Sequence, residues 1–131
     1  MGALTILLDT HAFLWAIAQP DHLSPAARRL VADSTVDILV SSASAWEIAT
    51  KVRLGRLPDA QALVAAFSDH VQRLGAQELA ISIRHALTAG SFAVAHRDPF
   101  DRVLAAQALL EGVPLVTRDP AFAAFPIHTI W

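Results

Sequence analysis

A chain of 131 residues, 54% hydrophobic and 17% charged, is long and apolar enough to bury one core and excludes a disordered segment. It contains no cysteine, which excludes a disulfide framework, a thiolate metal site and a thiol nucleophile, and is compatible with a reducing cytoplasm. Its formal net charge of -2 excludes a grip on nucleic acid by overall charge alone; that would need a local basic patch or a bound cation. Met1 to Ala18 is apolar enough to look like a signal peptide, but no positive leading region is present and Asp9 and His11 interrupt the run. No apolar run of about 18 residues occurs, so no membrane span is expected. Leu4 to Leu8 is a continuous apolar run, which predicts a strand buried on both faces. A helix follows through Phe13, Leu14, Trp15 and Ile17, stopped by Pro20; Ser24 and Pro25 open a second as N-cap and first residue. Asp37 to Val40 predicts a short strand, Ser42 to Val52 a helix ending before Gly55, and Pro58 to Leu74 one amphipathic helix. Glu78 to Ile81 predicts a strand, with a helical segment to Ala89 after it. Pro99 to Leu110 predicts a helix closed by Gly112, and Pro114 to Thr117 and Ile127 to Ile130 the last strands. Strands alternating with helices imply an α/β fold, a parallel sheet of four to five strands with helices on both faces, in a single domain of residues 1–131.

The acids fall in a pattern on this map. Asp9 follows the first strand, Glu47 lies in the first turns of the helix after the second, Asp98 and Asp101 flank the start of the Pro99 helix, and Asp119 follows the strand ending at Thr117. In a parallel sheet the C-terminal strand ends share one rim, where ligands bind at the point of strand-order reversal. Each acid also has a local explanation. Asp9 fits an N-cap, and Glu47 could close a capping box with Ser44. Asp98 before Pro99 fits an N-cap with proline after it. Asp101 favours the helix dipole, and Asp119 before Pro120 fits a turn. Capping does not require all of them on one rim, so their common location is the stronger signal.

The motifs around these acids resemble a known family. Leu7-Leu8-Asp9-Thr10-His11 is similar to the opening of PIN domains, and Ser44-Ala45-Trp46-Glu47-Ile48, with Lys51 a turn later, to their second acidic motif. His96-Arg97-Asp98-Pro99-Phe100-Asp101-Arg102 resembles their third and Val116-Thr117-Arg118-Asp119 their fourth. Order, spacing and length resemble the VapC-type toxins of bacterial toxin–antitoxin pairs over nearly the whole chain. The resemblance implies a PIN-like parallel sheet and an acid quartet falling on Asp9, Glu47, Asp101 and Asp119, with Asp98 as an accessory. Thr10 and Thr117, beside acids, would orient them or bound water, with capping as the alternative. The implied activity is endoribonuclease cleavage dependent on Mg2+ or Mn2+, leaving 5′-phosphate and 3′-hydroxyl ends. The implied partners are an RNA substrate, a VapB-type antitoxin and a second copy in a homodimer. The high apolar content fits such covered surfaces.

The chemistry suits these residues. Magnesium and manganese prefer hard oxygen ligands. Clustered carboxylates repel, by about 4 kcal/mol for unit charges 4 Å apart at an effective dielectric near 20, and a divalent cation offsets that. A bound metal also activates water and neutralises a phosphodiester. Arg97, Arg102 and Arg118 adjoin the motifs and either contact RNA phosphates or pair with neighbouring acids. His96 could reach a phosphate, whereas Lys51, Arg53 and Arg56 fit the dipole at a helix C-terminus. Trp15 and Trp46 are read as core or interface, with base stacking as the alternative. Two other acidic α/β enzymes fit less well. A haloacid-dehalogenase-like phosphatase needs a second Asp where Asp9-Thr10-His11 has His11. A phospho-receiver needs a late lysine, and the only lysine is Lys51. A binding-only domain has little reason to keep mutually repelling acids.

Overall fold

A computed structural model describes residues 4–131. Residues 1–3, the start of the signal-like stretch, lie outside the described residues; from Thr5 onward that stretch forms a strand and a helix. The strands are β1 (Thr5–Leu8), β2 (Asp37–Ser41), β3 (Ala76–Leu79), β4 (Leu115–Val116) and β5 (Thr129–Ile130). The helices are α1 (Thr10–Ala18), α2 (Pro25–Ala32), α3 (Ser42–Arg53), α4 (Gln61–Ala65), α5 (Phe67–Arg73), α6 (Ile83–Ser91) and α7 (Pro99–Glu111), with short 3-10 turns at Pro20–His22, Pro58–Ala60 and Pro120–Ala124.

The strands form one five-stranded sheet of order β3-β2-β1-β4-β5, and every neighbouring pair is parallel. The apolar run in β1 explains its central place. Ile6, Leu7 and Leu8 have no exposed surface, and their alternation divides them between two cores. Ile6 and Leu8 join Phe13, Ala27, Ile48, Leu63 and Val71 on the face covered by α1 to α5. Leu7 joins Leu104, Ala108, Leu115, Phe122 and Phe125 on the face covered by α7 and the turn after β4. The chain builds outward from β1 through β2 to β3, then returns past β1 to β4 and β5. The strand order therefore reverses between β1 and β4, and their C-terminal ends open a crevice there.

Several expected boundaries differ, and the last two strands shorten from Pro114–Thr117 and Ile127–Ile130 to Leu115–Val116 and Thr129–Ile130. The Pro58–Leu74 segment is not one helix: a 3-10 turn leads into α4, and the backbone leaves the helix at Ala66 before α5 begins. The third strand is Ala76–Leu79 rather than Glu78–Ile81, set by its pairing with Ile38 to Ser41 in β2. The cap of α3 is Ser41, whose hydroxyl accepts from the Ala43 N–H at 2.9 Å. Ser44 therefore lies inside the helix, and it makes no capping box with Glu47.

Candidate active site

Asp9 is the residue at which β1 stops and α1 starts. Its N–H still donates to the Val116 carbonyl at 3.0 Å, while its Oδ1 accepts from the Ala12 N–H at 2.8 Å and caps α1. The cap reading and the rim reading are thus both met by one side chain. The carboxylate is buried, and burial raises its pKa. Hydrogen bonds from Thr117 and Ala12 and the nearby His11 oppose that shift, while Glu47 adds to it. Thr117 ends the adjacent β4 side of the crevice, and its hydroxyl also accepts from the Asp119 N–H at 3.0 Å.

Glu47 reaches the same place from α3 and is also buried. The Thr10 hydroxyl donates to Glu47 Oε1 at 2.5 Å and lies 3.0 Å from the Ser44 hydroxyl. Lys51, one turn along α3, donates to Glu47 Oε2 at 2.7 Å. Lys51 therefore does more than complement the end of α3: it faces the acid cluster. Both oxygens of Glu47 are held, as a buried charge requires.

Asp101 comes from the first turn of α7. Its Oδ2 lies 2.8 Å from His96 Nε2. Burial first, then the charges of Asp98 and Glu47, push its pKa up to about 6, against the lowering effect of His96. Asp98 does the capping: its Oδ1 accepts from the N–H groups of Phe100 at 2.9 Å and Asp101 at 3.3 Å. Asp9, Glu47 and Asp101 thus share one electrostatic field, with Glu47 acting on both of the others.

Asp119 stands apart from this trio. It is exposed and caps the 3-10 turn that follows, accepting from the Ala121 N–H at 2.9 Å. It meets Asp9 across a shallow depression of about 320 Å³ that His11, Trp15, Arg118 and Pro120 also line. Among the described residues, no three carboxylate or imidazole groups are close enough together to hold one ion as they stand.

The arginines divide. Arg97 and Arg118 are exposed and, among the described residues, pair with no acid. Arg102 is not available for RNA. Its guanidinium donates to four backbone carbonyls: Ala89 and Phe92 at 2.8 and 2.7 Å, and Val94 and His96 each at 2.9 Å. It shapes the strap between α6 and α7 that carries His96 to Asp101. That role, and the Thr10–Glu47 bond, escaped the sequence reading; the adjacency of Thr10 to Asp9 was the one signal for the latter. Trp15 packs against the core and Trp131, whereas Trp46 is exposed.

The PIN domain family pattern matches residues 6–127. Ribonuclease VapC22 of Mycobacterium tuberculosis is 30% identical over 118 residues, covering 88% of this chain and 87% of that protein. Ribonuclease VapC16 of the same organism is 44% identical over 62 residues, a match spanning 47% of this chain and 43% of that protein. Among solved structures, VapBC2 from Rickettsia felis, bound to a promoter DNA fragment, superposes with a TM-score of 0.71 at 18% identity, covering 97% of this chain and 98% of that one. FitAcB from Neisseria gonorrhoeae gives 0.56 at 18% identity, over 96% of both chains. Parallel sheet, acid-lined switch point and a family match over nearly the full length agree, and the chain belongs to the PIN domain family.

Proposed function

We propose that this chain is a divalent-metal-dependent endoribonuclease, the toxin half of a VapBC-type pair, working as a single PIN domain in the cytoplasm. The observation that carries the reading is that Asp9, Glu47 and Asp101, from three different elements, approach the crevice where the strand order reverses, near enough for the charge of Glu47 to act on both of the others. The likeness to Ribonuclease VapC22 over most of both chains supports it.

The donor set fits a hard divalent cation. It offers only carboxylate oxygens, and Asp9 and Asp101 are pushed toward their neutral forms by burial first and then by the negative charge of Glu47, with Asp98 adding to it at Asp101. Magnesium takes one or two carboxylates and keeps several waters, so a loose set of acids suits it better than a closed cage. Asp9, Glu47 and Asp101 would hold Mg2+ or Mn2+, with Asp119 joining from the lip. When bound, such an ion supplies an activated water and offsets the negative charge on the attacked phosphodiester.

The chain's other residues prepare the site. Thr10 fixes the Glu47 carboxylate, Thr117 fixes Asp9, and His96 holds one oxygen of Asp101. Of the three arginines beside the acidic motifs, Arg97 and Arg118 are free to meet RNA phosphates. The partners are RNA, a VapB-type antitoxin and a second copy of the chain. Ile83 and Leu87, 80% and 65% exposed on α6, support a covered surface. Sedimentation should show a dimer that Leu87→Glu converts to monomer if that face pairs copies; a wild-type monomer would sink the dimer.

One experiment tests the activity. Purified chain incubated with RNA should cut it in Mg2+ or Mn2+ and leave it intact in EDTA. Full cleavage in EDTA would remove the metal from the mechanism, and no cleavage under any condition would remove the activity.

A further inference from the structure

The acids do not exhaust the seam between α3 and α7. Each acid there follows an aromatic in sequence: Glu47 follows Trp46, and Asp101 follows Phe100. The two rings bridge the same two helices beside the acids, meeting edge to face with centroids 4.7 Å apart and planes at 81°. Trp46 is nevertheless 56% exposed, while every other Trp and Phe among the described residues is buried or half-buried. An exposed indole forgoes the burial that large aromatics normally contribute to a core. The contact with Phe100 fixes its tilt, so little ordering remains to be lost when something stacks on an open face of the indole.

Charge narrows what that something is. The chain carries a net charge of -2 and its crevice is lined with acids, so beyond what Arg97 and Arg118 contribute, attraction to a phosphate backbone supplies little affinity. A polyanion gripped here needs a contact that does not depend on charge, and a nucleobase offers a flat π face that an aromatic side chain binds regardless of sequence. We infer that Trp46, braced by Phe100, is a stacking platform for one unpaired nucleobase of a single-stranded RNA whose backbone crosses the adjacent carboxylates. This rests on the ribonuclease reading and adds to it one substrate-positioning side chain, Trp46, at the lip of the crevice.

The test compares wild-type chain with Trp46→Ala and Trp46→Phe, binding a fluorescently labelled single-stranded oligoribonucleotide in EDTA. Trp46→Ala should weaken binding by about 5- to 150-fold, the range for loss of one stacked base. Trp46→Phe should recover most of it, and a duplex of the same sequence should be little affected by either change. Intrinsic tryptophan fluorescence should be quenched by RNA in the wild type, and that quench should largely vanish in Trp46→Phe although Trp15 and Trp131 remain. In Mn2+, Trp46→Ala should raise KM more than it lowers kcat. Unchanged single-strand affinity in a folded Trp46→Ala protein overturns the platform. So does weakening that tracks conversion of a wild-type dimer to monomer, because Trp46 then lies between copies. Wild-type chain that cuts RNA while Trp46→Ala binds equally well sinks the platform alone; wild-type chain that neither binds nor cuts RNA sinks the ribonuclease reading as well.

Discussion

Asp101 shows how a single residue can be costly to the fold and valuable to the site. Its carboxyl rises from 3.8 to about 6, first because it is buried and then because Asp98 and Glu47 face it. A carboxyl whose pKa is higher in the folded chain than in the unfolded chain binds more protons when folded. Stability of the metal-free protein therefore falls as pH rises from 3.8 through about 6, and the full penalty is present at pH 7. Solvent screening of this partly buried group keeps the effect to about 1 kcal/mol. Asp101→Asn should flatten that part of the pH profile in EDTA, measured by urea unfolding at pH 4.5 and 7. An unaltered slope would mean another group carries it. Asp98 was readable as a cap from Asp-Pro alone, and both of its bonds go to backbone N–H groups of α7. Asp101 could not be given its environment from sequence, because His96 reaches it over a strap with no regular secondary structure.

That strap is where the elements depend on one another. Residues 92–98 link α6 to α7 without helix or strand, so their carbonyls need partners from elsewhere. Arg102 supplies a planar fork of donors to Phe92, Val94 and His96, with Ala89 at the end of α6 as the fourth acceptor. Arg102→Ala should cost about 2–4 kcal/mol in chemical denaturation by leaving several partly buried carbonyls unmet. Arg102→Lys should recover only part, since an ammonium cannot reproduce the fork. A loss below about 0.5 kcal/mol for the alanine variant would place it among ordinary surface residues. Beside Asp101 in sequence, Arg102 looks like a phosphate contact; only the path of the strap reveals its use. The break at Ala66 was equally hidden, because Ala62 to Val71 contains neither proline nor glycine to stop a helix. By contrast, the caps at Asp9 and Ser24 and the left-handed Gly112 after α7 lie where local chemistry alone places them.

At the scale of the molecule, most of the fold was legible because β1 is a continuous apolar run and five of the helices open on a capping side chain, at Asp9, Ser24, Ser41, Ser82 and Asp98. The crevice was legible in outline: acids after successive strands must share a rim in a parallel sheet. What sequence could not supply was the inequality within the quartet. Asp9, Glu47 and Asp101 lie in one field, while Asp119 sits outside on an exposed turn, since two residues separate it from the end of β4 and turn it toward solvent. That difference does not alter the family; it bears on which acids dominate the chemistry. The most direct measurement is Mn2+-dependent RNA cleavage by Asp9→Asn, Glu47→Gln, Asp101→Asn and Asp119→Asn beside Asp98→Asn, each confirmed folded. Removing an outer partner of a metal-binding carboxylate commonly costs 10- to 100-fold, so the Asp9, Glu47 and Asp101 variants should each lose at least about 100-fold, with Asp119→Asn losing less. Asp98→Asn, which keeps a capping oxygen, should stay within about a few-fold of wild type. Near-wild-type cleavage by Asp9→Asn, or loss confined to Asp98→Asn, would contradict a site built on carboxylates gathered where the strand order reverses.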